Sequence, residues 1–231
     1  MTPPDDHLLE QYVRQKNNDA LCELVFVGFD SLQAATPGKC RPFDVERTGM
    51  VLGEGAAVLA LEDLEQAQRR GATILAEIIG YGISTDNHHL TQPNPSGIGP
   101  RAAMEQALRS AAISSAEVDY INAHGTATRF NDSAEAKAIQ ELFPADVPVS
   151  STKSMMGHSL GAAGAIEAVF CLLAMRNNFV PPNINFRQVD GDINLNIVAN
   201  ESRSQKVRTT LSNSFGFGGT NASIVMQSSS S

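Results

Sequence analysis

From residue 72 onward, short apolar runs rich in β-branched residues alternate with longer runs patterned like helices, and this alternation constrains the fold more than any other feature of the chain. The strand-like runs are TILAEIIGYG (73–82), VDYINAHGT (118–126), VPVSST (147–152) and TLSNSFGFGGTNASIVM (210–226), the last read as two strands around a glycine-rich turn. Between them lie PRAAMEQALRSAA (100–112), with Pro100 at a helix start, NDSAEAKAIQELF (131–143), with Asn131 or Asp132 as N-cap, and GAAGAIEAVFCLLAM (161–175). Strands and helices in alternation specify an α/β fold with the sheet between helix layers.

Upstream, HLLEQYV (7–13) reads as a short helix, ELVFVGFDSL (23–32) as an apolar, buried stretch, and residues 35–49 as a polar loop. AAVLALED (56–63) reads as a buried strand, expected to pair antiparallel with TILAEIIGYG. Residues 62–70 read as a helix ended by Gly71, with two arginines in its last turn. The loop from Ser84 to Gly99 is long enough to mark a functional segment.

A formal net charge of −8 argues against nucleic acid as a partner, since phosphates need a basic surface. No run of about 18 apolar residues is seen, so no membrane span is expected. Cys22, Cys40 and Cys171 show no metal-finger or redox spacing, and the N-terminus lacks a secretory pattern; together these point to a reducing cytoplasm.

Three segments that follow predicted strands hold the groups needed for acyl chemistry: 122–136 (NAHGTATRFNDSAEA), 151–167 (STKSMMGHSLGAAGAIE) and 213–223 (NSFGFGGTNAS). Gly157–Gly161 matches the G-x-S-x-G nucleophile elbow. However, four residues separate it from the preceding strand, and every histidine precedes Ser159, the reverse of the hydrolase order. Ser159 therefore reads as a helix-start residue whose hydroxyl caps the helix. His124 and His158 are placed to donate N–H groups to one developing oxyanion; the alternative is two core histidines satisfied by backbone. Lys153 precedes a helix on which Glu167 sits among apolar residues, so a Lys153–Glu167 pair would spare an isolated buried charge. Gly216, Gly218 and Gly219 point to positive φ or a close approach to ligand, or to an ordinary turn. His124, Asp132 and Glu135 have no standard metal-site spacing.

Together with RPFDVERTGMVLGEGAAVLALED (41–63) and STDNHHLTQP (84–93), these motifs resemble the β-ketoacyl-acyl carrier protein synthases, specifically the type II elongating enzymes and their polyketide relatives, over about residues 20–227. The resemblance implies a thiolase-like α/β fold: the C-terminal half (98–227), with the last strands of the N-terminal half (19–97), built on a mixed sheet of about five strands between helices. Residues 1–18 do not resemble the family, and 228–231 read as a disordered tail. By resemblance His124, Lys153, His158 and Phe215 are catalytic. Phe215 would be the gating phenylalanine, whose N–H helps form the acyl oxyanion hole. Thr91, Thr126, Thr128 and Gly216 would bind substrate, and Glu167 would support Lys153. The implied activity is decarboxylative Claisen condensation of malonyl- with acyl-thioesters in fatty acid or polyketide synthesis. No cofactor or metal is implied, the substrates riding on the phosphopantetheine of acyl carrier protein. The family's nucleophile lies in a D-T-A-C-like elbow, which this sequence lacks. Its implied partners are therefore acyl carrier protein and a cysteine-bearing ketosynthase half or ketosynthase partner. The alternatives are a non-catalytic subunit like chain-length factors and an inactive truncated ketosynthase.

Overall fold

A computed structural model describes residues 18–229. The helix expected over 7–13 lies outside the described residues. The helices are α1 (Asn18–Ser31), α2 (Leu64–Arg69), α3 (Ile98–Ala111), α4 (Arg129–Leu142), α5 (Lys153–Met156) and α6 (Ala163–Asn177). The strands are β1 (Glu77–Thr85), β2 (Tyr120–Asn122), β3 (Pro148–Ser150), β4 (Phe179–Val180), β5 (Asn196–Ile197), β6 (Arg203–Ser204), β7 (Thr209–Gly216) and β8 (Thr220–Gln227).

Six strands form one mixed sheet in the order β1-β8-β7-β2-β3-β5, and β4 pairs with β6 in a separate ribbon. The strands β7, β2, β3 and β5 run parallel, while β8 is antiparallel to both β7 and β1. Side chains alternate across the pleat. Ile121, Val149, Leu211 and Val225 face one core with Met104 and Leu108 of α3 and Ile139 of α4. Tyr120 and Met226 face the other, with Ala168, Cys171, Ala174 and Met175 of α6. Each large apolar side chain so buried contributes about 1.5–3 kcal/mol. α3 lies directly on β1 because Gly80 and Gly82 have no side chain. A Cβ on Gly80 would meet the Ala107 carbonyl at 2.5 Å, and one on Gly82 the Ala107 amide at 2.6 Å.

Residues 160–177 reach a mean hydropathy of 1.3, apolar enough to cross a membrane by composition alone. Here they form the turn before α6 and α6 itself, which packs on the sheet and buries the carboxylate of Glu167.

Several upstream expectations are corrected. AAVLALED is not a buried strand: it runs without a ladder partner, with Val58 94% and Leu61 74% exposed. TILAEIIGYG does form a strand from Glu77, but it pairs with β8. A strand needs a neighbour for its N–H and C=O groups, and β8 is the one that offers a matching edge. Residues 23–31 fall in α1, where Phe26 is half-exposed, as is Leu32 just beyond its end. The cap of α4 is Thr128, ahead of the expected Asn131 or Asp132; the buried Asp132 carboxylate instead accepts the N–H of Phe43 at 2.8 Å. The helix before Gly71 is shorter than expected and is capped by Asp63, whose carboxylate accepts from Gln66 N at 3.1 Å. At the other end of the chain, Ser228 N donates to the Arg208 carbonyl and Ser229 Oγ to that of Ile74.

Candidate active site

Since β2, β3 and β7 are parallel, their C-terminal ends lie along one edge of the sheet. β2 ends two residues before His124, β3 three before Lys153, and β7 carries Phe215 next to its last residue. These ends open into a cavity of about 860 Å³ lined by His124, His158, Phe215, Thr126, Thr128 and Thr91, among others. The topology thus brings together residues as far apart in the sequence as Thr91 and Phe215.

The imidazoles of His124 and His158 meet edge to face, with centroids 5.3 Å apart. Phe215 packs its ring against His124 at 5.5 Å. Leu160 N–H donates to His158 Nδ1 at 3.1 Å, so the neutral ring carries its proton on Nε2. His124 is buried, and its Nδ1 has no partner among the described residues. Burial pushes both imidazoles down, and the nearby Lys153 charge pushes the same way; His158 falls to about 3 and His124 well below its usual range. Both rings are therefore neutral N–H donors at ordinary pH, suited to an oxygen acquiring negative charge.

Lys153 and Glu167 are both buried and bonded, Nζ donating to Oε1. Burial raises the Glu167 carboxyl, and the Lys153 charge counters it. The expected pairing is present. Thr126 and Thr128 share a hydroxyl hydrogen bond of 2.8 Å at the cavity wall. Thr91 sits in the rim loop, its N–H donating to His89 Nδ1 at 3.1 Å. Gly216, the last residue of β7, also lines the cavity. Ser159 is corrected: its buried hydroxyl makes no capping bond, and a short helix rather than a strand precedes it, so no nucleophile elbow forms.

Two residues escaped the sequence reading. Glu135, considered there only as a metal ligand, accepts the backbone N–H groups of His124 and Gly125, each at 2.8 Å, and Asn213 Nδ2 at 3.0 Å. It fixes the His124 turn to β7, although burial lifts its carboxyl to about 7. Its only trace in the sequence is its place between Ala134 and Ala136, which implies a covered face and not a partner. Phe217, the second phenylalanine of the F-G-F-G-G run, stands at the mouth, 49% exposed, its ring 5.7 Å from that of Phe29. Gly219 supports that turn. Its φ is +75°, and a Cβ there would fall on Asp86, whose N–H donates to the Gly219 carbonyl at 3.0 Å.

The layered sheet and the paired histidines beside a buried lysine define the thiolase-fold class, in the manner of a ketosynthase. Residues 75–187 match the family model of the β-ketoacyl synthase C-terminal domain, and residues 17–67 that of its N-terminal domain. The chain belongs to the β-ketoacyl synthase family. It is 52% identical over 189 residues to 3-oxoacyl-[acyl-carrier-protein] synthase 2 of Coxiella burnetii, covering 80% of this chain and 46% of that protein. Against the protein of the same name in Rhizobium meliloti it is 43% identical over 217 residues, 90% of this chain and 51% of that one. Among solved structures, the ishigamide ketosynthase/chain length factor superposes with a TM-score of 0.86 at 42% identity, over 89% of this chain and 51% of that one. A type II polyketide ketosynthase in complex with its acyl-carrier protein (AntDE:AntF) gives 0.86 at 36% identity, over 91% and 54%. The chain spans about half the length of the curated relatives it matches.

Proposed function

We propose that this chain carries the decarboxylation centre of a β-ketoacyl-acyl carrier protein synthase, a cytoplasmic enzyme of fatty acid or polyketide synthesis. The observation that carries the reading is the pair of neutral imidazoles sharing one cavity with a buried lysine beside them. When a malonyl thioester loses carbon dioxide, the bonding electrons move into the C=O and leave an enolate oxygen. His158 Nε2–H and the His124 ring N–H stabilise that oxygen, and no base is needed. Burial keeps the imidazoles uncharged, and the charge of Lys153, held by Glu167, adds to it. The hydroxyls of Thr126, Thr128 and Thr91 line the path for the phosphopantetheine arm of acyl carrier protein, and Phe215 closes the inner wall.

The condensation half needs an acyl group on a thiolate. Burial pushes the Cys40 and Cys171 thiols up to about 12, so both stay protonated. Cys22 is exposed on α1, away from the cavity lining. The acyl-bearing cysteine is supplied by a ketosynthase half or partner that carries the missing elbow. Retention of both histidines and the lysine argues against a non-catalytic chain-length subunit.

The test is carbon dioxide release from malonyl-acyl carrier protein. His124→Ala and His158→Ala should each reduce it about a hundred- to thousandfold, the usual effect of deleting an oxyanion donor. Cys22→Ala and Cys40→Ala should leave it unchanged, and none of the proteins should condense alone. Loss of release in either cysteine variant would overturn this reading.

A further inference from the structure

The cavity has a charge asymmetry that the decarboxylation chemistry leaves unused. Arg129, the first residue of α4, is its one lysine or arginine among the described lining residues, and Asp86 its one carboxylate. Arg129 is exposed and takes part in no ion pair or side-chain hydrogen bond among the described residues. Asp86 is already engaged: Oδ2 accepts Asn94 N at 2.8 Å, and Oδ1 accepts His88 N at 3.4 Å. Arg129 is thus a free cation at the mouth of a cavity whose inner end holds the buried, unpartnered His124 Nδ1. On a chain of net charge −8, such a cation marks a specific anion contact rather than a general basic surface.

The kind of anion follows from what else lines the cavity beside Arg129. Arg129 directly follows the Thr126–Thr128 hydroxyl pair, so a ligand lying along those hydroxyls with its reactive end at the histidines presents its outer end to Arg129. We propose that Arg129 is the residue that grips the phosphate of the phosphopantetheine arm as it enters the cavity. A guanidinium matches phosphate geometry, offering two parallel N–H donors where lysine offers a point charge. This assignment rests on the proposed function, since that reading supplies the arm.

The test compares 4′-phosphopantetheine with pantetheine, titrated into the 231-residue chain at low ionic strength and followed by ligand-observed NMR. The wild type should bind the phosphorylated probe about tenfold more tightly, the effect of one hydrogen bond to a charged group. Arg129→Ala should erase that preference without changing pantetheine affinity, Arg129→Lys should keep part of it, and salt should shrink it. A variant Arg129→Ala that retains the preference, or weakens both probes equally, overturns the assignment. So does a wild type that binds both probes equally, although the function reading then stands. A wild type that binds neither probe overturns both.

Discussion

At the scale of single residues, the site depends on one ion pair. Lys153 and Glu167 are both buried, and each is the other's only charged hydrogen-bond partner among the described residues. Removing one leaves an uncompensated charge in the core, which costs about 3–5 kcal/mol. Lys153→Ala should lower unfolding stability by that amount in denaturant titration, and Lys153→Ala with Glu167→Ala should recover much of the loss. Equal destabilisation by the single and double variants would show that the pair is not the source. This contact was legible in the sequence because an acid among Ala165, Ile166, Ala168 and Val169 demands a partner. Glu135 was not legible in that way. Its partners are backbone N–H groups, which every residue has, so nothing in the sequence marks which turn a buried carboxylate will hold. Phe217 was missed for a related reason: two phenylalanines two positions apart in a strand share a face until the turn separates them, and here the turn begins between them.

At the scale of elements, the rim is a joint between two loops. The 216–219 turn and the 84–93 loop are tied by Asp86 N to the Gly219 carbonyl and by Gly218 N to the Leu90 carbonyl. Gly219→Ala would strain a left-handed backbone and collide with Asp86, so both ties should break. The expected result is faster proteolysis at both loops together and reduced decarboxylation, with the far-ultraviolet circular dichroism of the sheet and helices retained. Cleavage confined to one loop would show that the ties do not couple them. β1, β2, β3, β7 and β8 and the helices α3, α4 and α6 could be read from periodicity, whereas the two-residue strands β4, β5 and β6 are too short to carry a pattern, and β5 makes the sheet six-stranded where about five were expected. AAVLALED could not, because an apolar run says only that a segment is to be covered, whereas a strand also needs an adjacent edge. The N-cap of α4 was misplaced because Asp132 has the right chemistry for a cap, yet its carboxylate is turned to a contact 89 positions away.

At the scale of the whole molecule, the two faces of the sheet are unevenly covered. Among the described residues α3 and α4 close one core, whereas the other leaves Ile78, Tyr81 and Ile83 of β1 exposed, as are Val58 and Leu61 on either side of Leu59, which packs against that core. An exposed set of this kind drives association. Whatever binds this face binds the folded chain and not the unfolded one, so folding and self-association become one linked equilibrium. The melting temperature should then climb as the protein is concentrated, and Val58→Asp with Tyr81→Ser should flatten that dependence. A melting temperature independent of concentration in the wild type would show the face to be inert. On that expectation the exposed side of β1 makes this chain's stability a property of the solution it is in, fixed only once its concentration is stated.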